Sequence, residues 1–316
     1  MALPFTSQVE ATTLNLLESG AEDNVYDSAS LFYHLRETGQ ITASGGSQIQ
    51  SVITYQKLAA GGSYQNADIL STQPTDSDTA AVANWKLYYV HVVITKHDIL
   101  RNSGDEAVVD LIQTKTKNAH LKMADLISTD IFSTNGDTAT GVTGLRNLIS
   151  TSTTHHSIAP GDFSGWEAQV DTTDSAIALS TIELNAYLNP TIGSDNPDIM
   201  VTTKPAYKKI WALLQANQRF GGEQTAAGGF KYILFNDIPI FHDSHCPGTG
   251  AGTADGWLFG LNSRHMNLYV HKDDNFTVEK IPPPANQAIR IWRLGATCNL
   301  LIRNRRMFAG MSVLKP

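Results

Sequence analysis

Apolar and polar positions alternate along two stretches in the first third of the chain. They are residues 47–58, SQIQSVITYQKL, and residues 85–95, WKLYYVHVVIT. Alternation with a period of two is typical of strands that have one covered face. Residues 59–84 between them are mostly polar and contain glycine, so the pattern predicts a long two-stranded hairpin with a polar tip. Such a hairpin is not stable alone and needs another surface against its faces.

A helical period replaces this alternation after residue 103. Five apolar residues then recur at helical spacing: Val108, Ile112, Ala119, Met123 and Ile127. Ser103 or Asp105 provides an N-cap, and Gly136 is placed to end the helix. At about 1.5 Å per residue the predicted helix is about 40 Å long. The pattern alone is typical of the long core helix of an α+β domain.

Two shorter helices are predicted at other places in the first two thirds of the chain. Residues 27–39, DSASLFYHLRETG, form one helix, with Asp27 or Ser28 as N-cap and Gly39 at its end. Residues 174–188 form another within a region that is otherwise rich in loops. The chain therefore mixes helices and strands, and it shows no periodic repeat or heptad.

A strand followed by a helix is predicted at residues 198–220. DIMVT at 198–202 is the strand, Thr203 caps the helix, and Pro205 fits its first turn. One apolar stripe of this helix comprises Tyr207, Ile210, Trp211 and Leu214. Further strands are predicted on both sides of Asp237, at 257–272, and as a closing strand pair with a basic tail at 288–314.

Composition limits the classes of function that fit the chain. Its 316 residues are 41% hydrophobic and only 17% charged, with a net charge of −7. A dedicated nucleic-acid binder usually has a basic excess, so the charge argues against one but leaves room for a protein that encloses nucleic acid. The N-terminus lacks the basic and apolar regions of a signal peptide, and the longest apolar stretch is too short to span a bilayer.

The best candidate for metal chemistry is HDSHC at residues 242–246. His242, His245 and Cys246 could supply three ligands, with Asp243 as a fourth. The spacing matches no common zinc pattern, so the cluster is a candidate and no metal is predicted. His155 and His156 are adjacent in a loop, and in a strand-like conformation their side chains point apart. No catalytic residue or cofactor site is predicted.

A small basic cluster lies near the end of the chain. Arg303, Arg305 and Arg306 are expected to pair with carboxylates, either inside the subunit or across an interface. Contact with enclosed nucleic acid is the alternative interpretation. Either way, the three arginines are candidates for contacts between subunits.

Three consecutive stretches of the second half carry a resemblance to a known family. They are PDIMVTTKPAYKKIWALLQANQRF, GGFKYILFNDIPIFHDSHCP and WLFGLNSRHMNLYVHKDDNF, which run from residue 197 to residue 276. Together with the order of elements, they resemble the axial domain of the major capsid proteins of tailed bacteriophages. The resemblance covers essentially the whole chain. It implies an α+β architecture, the Hong Kong 97-type capsid fold, with an N-terminal arm, an extended β-hairpin loop, a peripheral domain with a long spine helix, and an axial domain.

The resemblance also implies domain boundaries. Residues 1–30 would be the N-terminal arm and 47–92 the extended loop that reaches over an adjacent subunit. Residues 31–46 and 93–139 would form the peripheral domain with its spine helix. Residues 140–275 would be the axial domain, and 276–316 would return to the peripheral domain as strands.

The implied function is structural and not enzymatic. Copies of the chain would self-assemble as hexamers and pentamers into an icosahedral shell around double-stranded DNA, without sequence-specific binding. The implied partners are a portal protein, a scaffolding protein that is a separate chain because residue 1 leads directly into the arm, and a decoration protein in some cases. The implied location is the virion, assembled in the cytoplasm of a bacterial host and without a membrane.

Contacts between copies are expected at the extended loop. Lys57, Trp85 and Tyr88 are the candidates there, beside the three arginines. Some members of the family also link subunits through lysine and asparagine, for which Lys57, Lys86, Asn299 and Asn304 are available here, although no pair is marked. Three other interpretations stay open: an encapsulin-like compartment for an enzyme cargo, a viral tail or decoration protein, and a metal-dependent hydrolase that uses His242–Cys246.

Overall fold

The computed structural model describes residues 29–315, with short gaps. The gaps are residues 44, 71, 102–104, 163–164, 173–174, 217–223, 226–230, 249–255 and 285. The predicted arm therefore lies outside the described residues except for its last two. The same holds for the proposed caps Asp27, Ser28 and Ser103, and for the side chains of Val108 and Ile112.

The described residues form six α-helices and fourteen strands. The helices are α1 (Ser30–Thr38), α2 (Lys96–Arg101), α3 (Asp105–Ile131), α4 (Leu145–Leu148), α5 (Leu179–Ile182) and α6 (Lys204–Ala216). The strands are β1 (Gln40–Ala43), β2 (Gln48–Thr54), β3 (Asp78–Asn84), β4 (Lys86–Thr95), β5 (Gln169–Asp171), β6 (Ser175–Ala176), β7 (Ile199–Thr202), β8 (Gln224–Thr225), β9 (Lys231–Phe235), β10 (Ile238–His242), β11 (Gly256–Leu261), β12 (Met266–Ile281), β13 (Ile289–Ile302) and β14 (Ala309–Lys315). None of the helices in these ranges is both long and apolar enough to cross a membrane.

The long helix α3 packs against a four-stranded sheet with the order β1-β12-β13-β4. Ala119, Met123 and Ile127 of the predicted apolar stripe are buried there, next to Val92 of β4 and Leu294 of β13. The prediction of a long helix is confirmed, with 27 residues. It ends at Ile131 and not at Gly136, because the chain turns sharply and the Ser133 N–H donates to the Asp130 carbonyl (3.0 Å).

The pairing predicted for the long hairpin is wrong. β2 pairs with β3 inside the predicted tip, in a register from Gln48↔Asn84 to Thr54↔Asp78. β4 pairs instead with β13, so it belongs to the sheet on α3. Both choices follow from burial: Ala81 and Ala83 are buried in one small cluster, whereas Val92 and Ile94 are buried on the α3 side. From here on we use the name extended loop for residues 48–84, which are β2, β3 and their connection. β4, which the sequence prediction of 47–92 included in large part, is not counted in it.

A larger sheet holds the second half of the chain, in the order β5-β14-β11-β7-β10-β9-β8, with β6 beside β14. The predicted strands on both sides of Asp237 are confirmed as β9 and β10. Helix α6 covers this sheet with Ala206, Ile210 and Leu214. Trp211 of the predicted stripe is 39% exposed, because its position on α6 is turned away from the sheet.

Three smaller predictions need correction. The α1 N-cap position is Ala29, without a side-chain hydrogen bond, and the Thr203 hydroxyl before α6 makes none within the described residues. The helical segment at 174–188 starts later, as α5, and continues as a π-helical turn at Glu183–Leu188. The closing strands β13 and β14 are not a pair, because β13 lies between β12 and β4, whereas β14 pairs with β11 in the larger sheet.

Candidate functional site: the extended loop and its root

The extended loop exposes apolar side chains that the other described residues of the subunit leave uncovered. Val52 is 76% exposed and Ile69 is fully exposed, and Leu58, Tyr64 and Leu70 are exposed as well. The hydrogen bonds of the connection are local, such as that from the Tyr55 N–H to the Ser77 carbonyl (2.9 Å). A two-stranded ribbon of this kind has no core of its own, so its apolar side chains gain burial only on another surface.

A second exposed apolar surface lies on β4, directly after the loop. Leu87, Tyr89 and Val93 alternate on the face that is turned away from α3, with Leu87 75% exposed. Within the described residues β4 is an edge strand, paired only with β13. The extended loop therefore leads straight into a strand that has one uncovered face and one unpaired edge, both of which favour contact with another chain.

Within the part of the chain that the structure describes, the buried contacts of the loop with the rest of the subunit lie at its base. Ile49, Ala81 and Ala83 pack with Ile158, Trp166 and Leu301 in a small buried cluster. The side-chain amide of Asn299 donates to the Asn84 carbonyl (2.7 Å), and the Val82 N–H donates to the His156 carbonyl (3.1 Å). The far end of the loop thus projects, whereas the base is fixed.

The predicted contact residues of this region have different surroundings. Lys57 is exposed on the loop, and the indole of half-buried Trp85 donates to the Gly46 carbonyl (3.0 Å). Tyr88 faces inward, and its hydroxyl lies 2.5 Å from Asp130 Oδ2 and accepts the Val142 N–H (2.6 Å). Burial and the Asp130 carboxylate raise the pKa of Tyr88. Tyr88 therefore holds β4 to α3 inside the subunit.

The three arginines also separate. Arg305 is fully buried, and among the described residues its guanidinium donates to carbonyl and hydroxyl oxygens, of Leu148, Thr153 and Asn147. Burial lowers the pKa of Arg305 to about 10. The expectation of carboxylate pairing is wrong for Arg305. Arg303 and Arg306 are exposed, and neither forms an ion pair within the described residues.

Two of the residues available for a lysine–asparagine link are engaged inside the subunit. The Lys86 ammonium is buried and donates to the Asp137 carbonyl (2.8 Å) and the Ala139 carbonyl. Asn299 is buried, and its amide oxygen accepts the Thr143 N–H (3.1 Å). Lys57 is exposed and Asn304 is partly accessible.

The HDSHC segment does not gather metal ligands. His245 Nε2 lies 2.8 Å from Asp125 Oδ1 of α3, and His245 Nδ1 lies 3.2 Å from Asp243 Oδ1. The buried Cys246 thiol points to the Trp257 carbonyl, and burial raises its thiol pKa. His242 packs on the Tyr207 ring, with centroids 5.2 Å apart. The segment ties the larger sheet to α3 through an imidazole between two carboxylates.

We expect the His245 ion pairs to make stability fall at alkaline pH. Asp243 and Asp125 raise the pKa of His245 from 6.5 to about 9. A raised histidine pKa stabilises the folded chain fully below pH 6.5, and this stabilisation is lost as the pH rises towards 9. The free energy of unfolding should fall by on the order of 2 kcal/mol. This is less than the full pKa shift would give, because the site is partly hydrated. Urea unfolding at pH 6 and pH 9 measures it.

A matched pair of variants checks this assignment. His245→Gln should flatten the loss of stability between pH 6 and pH 9, whereas the exposed His97→Gln should leave it unchanged. An unaltered pH profile in His245→Gln would assign the alkaline loss to another group.

His155 and His156 do not point apart, as a strand-like backbone would require. His156 and Ser157 adopt positive φ angles of 52° and 65°, which form a tight turn closed by two hydrogen bonds between His155 and Ile158. Both imidazoles are fully buried, with ring centroids 3.8 Å apart. Their Nδ1 atoms lie 3.7 and 3.8 Å from Asp137 Oδ1. We call Lys86, Asp137, His155, His156 and Arg305 the root cluster, because it lies at the base of the extended loop.

Within the described ranges, this is where three potential metal ligands converge: Asp137, His155 and His156. Their hydrogen bonds do not fit a metal ion. His156 Nε2 accepts the Ile302 N–H (3.1 Å), so neutral His156 carries its proton on Nδ1, the atom that faces Asp137. The cations Arg305 and Lys86 also oppose a further positive charge nearby. Neither this cluster nor HDSHC therefore supports the metal-dependent hydrolase.

Comparisons with known proteins find similarity in structure only. No protein-family model matches the chain. No curated protein matches it in sequence.

Many solved structures match over the whole length. The holo-SrpI encapsulin complex of Synechococcus elongatus PCC 7942 matches 100% of this chain and 97% of its own, with a TM-score of 0.62 and 10% identity. The capsid of cyanophage A-1(L) matches 96% of this chain and 98% of its own, with a TM-score of 0.65 and 13% identity. A structure of Mycobacterium phage Bobi matches 96% of this chain and 97% of its own, with a TM-score of 0.60 and 10% identity.

These full-length matches show the fold. The chain has the α+β Hong Kong 97-type fold that the sequence resemblance implies. The identities are too low to carry function from any single neighbour, so function has to be argued from the surfaces of the subunit itself.

Proposed function

We propose that the protein is the major capsid protein of a tailed bacteriophage, a structural and non-enzymatic subunit that self-assembles into an icosahedral shell around double-stranded DNA. The observation that carries the proposal is the extended loop. It projects from a subunit of this fold with Val52, Tyr64 and Ile69 exposed, and its buried contacts with the other described residues lie at its base. Side chains arranged in this way are stabilised when neighbouring copies cover them.

The two uncovered apolar surfaces suit a head-to-tail arrangement. Each copy offers the projecting end of its loop and the outer face of β4 with Leu87 and Tyr89. A contact between two different surfaces leaves both free at the ends of a pair, so further copies add until the ring closes. Hexamers and pentamers are the closed rings that an icosahedral shell requires.

The remaining parts of the proposal follow the resemblance. Residues 1–30 would lie on a neighbour as an arm, α3 would be the spine of the peripheral domain, and the larger sheet with α6 would form the axial domain. The net charge of −7 suits a shell that encloses DNA without gripping it. Portal, scaffolding and decoration proteins would be its partners, the virion its final location, and the cytoplasm of a bacterial host its place of assembly.

A cargo compartment is the second candidate, because an encapsulin complex is among the full-length matches. Both functions use the same subunit fold and both need closed shells. They differ in content, which is double-stranded DNA in one case and a cargo protein in the other.

Electron microscopy of the purified full-length protein tests the proposal. Negative stain at high protein concentration, alone and with the proteins encoded beside it, should show closed shells or hexameric and pentameric rings. Shells from infected cells should contain nuclease-protected DNA. A monodisperse monomer under every condition would contradict assembly, and shells that hold only a protein cargo would favour the compartment.

A further inference from the structure

A tight turn with two buried histidines joins the extended loop to the body of the subunit. The His156 carbonyl accepts the Val82 N–H of β3 (3.1 Å), and His156 Nε2 accepts the Ile302 N–H at the end of β13 (3.1 Å). His156 thus links β3 of the extended loop to the four-stranded sheet that packs against α3. No part of the function proposed above uses this residue.

The hydrogen bond to Ile302 exists only while His156 is neutral. An imidazolium carries a proton on both ring nitrogens, so it has no lone pair for a backbone N–H. A protonated Nε2 would instead face the Ile302 N–H across 3.1 Å, donor against donor. Protonation therefore removes one of the contacts that hold the loop base.

The groups around the pair oppose its protonation. Arg305 is buried close by with no carboxylate partner in the described ranges, and each imidazole would also meet the charge of the other. The ammonium of Lys86 donates to the backbone carbonyls of Asp137 and Ala139. Glu167 is exposed and acts on the charge of Arg305 from the surface.

Within the described residues, Asp137 is the acid that forms ion-pair contacts with both rings. Its Oδ1 is 3.7 and 3.8 Å from the two Nδ1 atoms, which is too long for a hydrogen bond, and this oxygen has no hydrogen-bond partner within the described residues. The other oxygen, Oδ2, accepts the Ser157 N–H of the turn (3.1 Å). Burial raises the pKa of Asp137, so this carboxylate takes up its own proton on acidification. Its charge then no longer compensates an imidazolium.

We propose that His155 and His156 are an acid-sensitive latch for the extended loop: protonation of the pair opens the turn at 155–158 and frees the loop base while the two sheets stay folded. The latch lies within one subunit, so an experiment can confirm or contradict it independently of whether the protein forms shells.

The direction and size of the effect follow from linkage. Burial lowers the pKa of His156 from 6.5 to about 3 and that of His155 well below 6.5. A lowered histidine pKa means that the open turn binds protons that the closed turn does not, between pH 6.5 and about 3. At pH 4.5 His156 alone raises the opening constant about 100-fold relative to neutral pH, His155 adds to this, and Asp137 offsets a part.

Hydrogen exchange on the full-length protein tests the latch. Exchange of residues 78–86 and of the Ile302 amide, whose acceptor is His156 Nε2, is followed from pH 7.5 to pH 4.5 and corrected for the intrinsic pH dependence of amide exchange. We expect about 100-fold faster opening of these segments in acid, with residues 114–131 of α3 still protected. Simultaneous exposure of α3 would indicate global unfolding and would overturn the latch.

Variants in which the histidines are replaced by side chains that do not titrate provide a second test. His156→Gln keeps an acceptor for the Ile302 N–H, and His155→Asn keeps a donor for Asn147 Oδ1, which lies 3.3 Å from His155 Nδ1. The double variant should lose the acid response of residues 78–86. The control His34→Gln removes another histidine of lowered pKa, on α1 beside Phe241, and should keep the response. An acid response that persists in the double variant would overturn the proposal.

If the double variant does not fold, His156→Gln alone decides the question. It should flatten the acid response partly, and a response identical to that of the wild type would contradict the role of His156.

Discussion

Shortening the extended loop is expected to leave a folded subunit that no longer assembles. The variant replaces residues 59–74 by a short Gly-Ser turn and retains β2 and β3, together with the hydrogen bond from Tyr55 to Ser77. The removed segment contains exposed Tyr64, Ile69 and Leu70 but none of the buried core. Each of these side chains contributes about 1.5–3 kcal/mol when a neighbour buries it, at every contact of the shell. Sedimentation and electron microscopy measure the loss of particles.

The boundaries of the deletion decide what it reports. A deletion that continued to residue 84 would remove β3, whose Ala81 and Ala83 are buried, and would confuse misfolding with failed assembly. A far-UV spectrum and a thermal transition like those of the wild type establish that the shortened subunit is folded. Particles of normal size and yield would show that the loop is dispensable for assembly.

A point variant with a matched control separates apolar contact from loop length. Ile69→Asp places a charge at the fully exposed Ile69 and should reduce assembly strongly. Gln73→Asp adds the same charge at an exposed polar position of the same connection and should have little effect. Equal effects of the two variants would indicate electrostatic repulsion and not a lost apolar contact.

Local sequence signals predicted the elements that local interactions determine. The helical spacing of Ala119, Met123 and Ile127 predicted α3, because one covered face is enough to produce that pattern. The hairpin of β9 and β10 was also predicted, and Asn236 and Asp237 adopt the positive φ angles (50° and 63°) that its two-residue turn requires. Asparagine and aspartate tolerate that conformation well, so the turn is visible in the sequence.

Strand pairing was not predictable in the same way. The alternation of residues 85–95 identified β4 as a strand but could not name its partner, which lies about two hundred residues later in β13. The true partner of β2 is β3, DTAAVAN, whose alanines give a weak strand signal. Its position is set by burial of Ala81 and Ala83 against Leu301 and Trp166, which a single sequence does not reveal.

The root cluster was missed for a related reason. The expectation that the His155 and His156 side chains point apart assumed a strand-like backbone. The backbone instead has positive φ angles at His156 and Ser157, and neither position is a glycine, which would have indicated such a turn in the sequence. Asp137 and Arg305 come from distant parts of the chain, so no spacing rule links them to the histidines. Similarly, three neighbouring arginines look equivalent in sequence, and only the packing around α4 decides that Arg305 is the buried one.

Arg305→Ala is expected to destabilise the subunit by about 3–5 kcal/mol, the largest effect of any single substitution considered. The Arg305 guanidinium donates to the carbonyls of Leu148 (2.5 Å), Thr153 (2.8 Å) and Asn147 (3.2 Å). Its removal leaves these buried oxygens without their donors and opens a cavity beside His155. For a chain of this size the melting temperature should fall by roughly 10 °C. Thermal and urea unfolding of dispersed subunits measure the loss.

The neighbouring arginine supplies the control, because Arg306 is exposed and has no ion pair within the described residues. Arg306→Ala should change stability by less than about 0.5 kcal/mol. Arg305→Lys keeps the charge but has fewer donors in a less suitable geometry, so its stability should lie between those of Arg305→Ala and the wild type. If Arg305→Ala and Arg306→Ala proved equally mild, the buried guanidinium would not hold α4 and the root of the loop together. The fixed base that the projecting loop requires would then have to depend on the small apolar cluster around Trp166 and Leu301 alone.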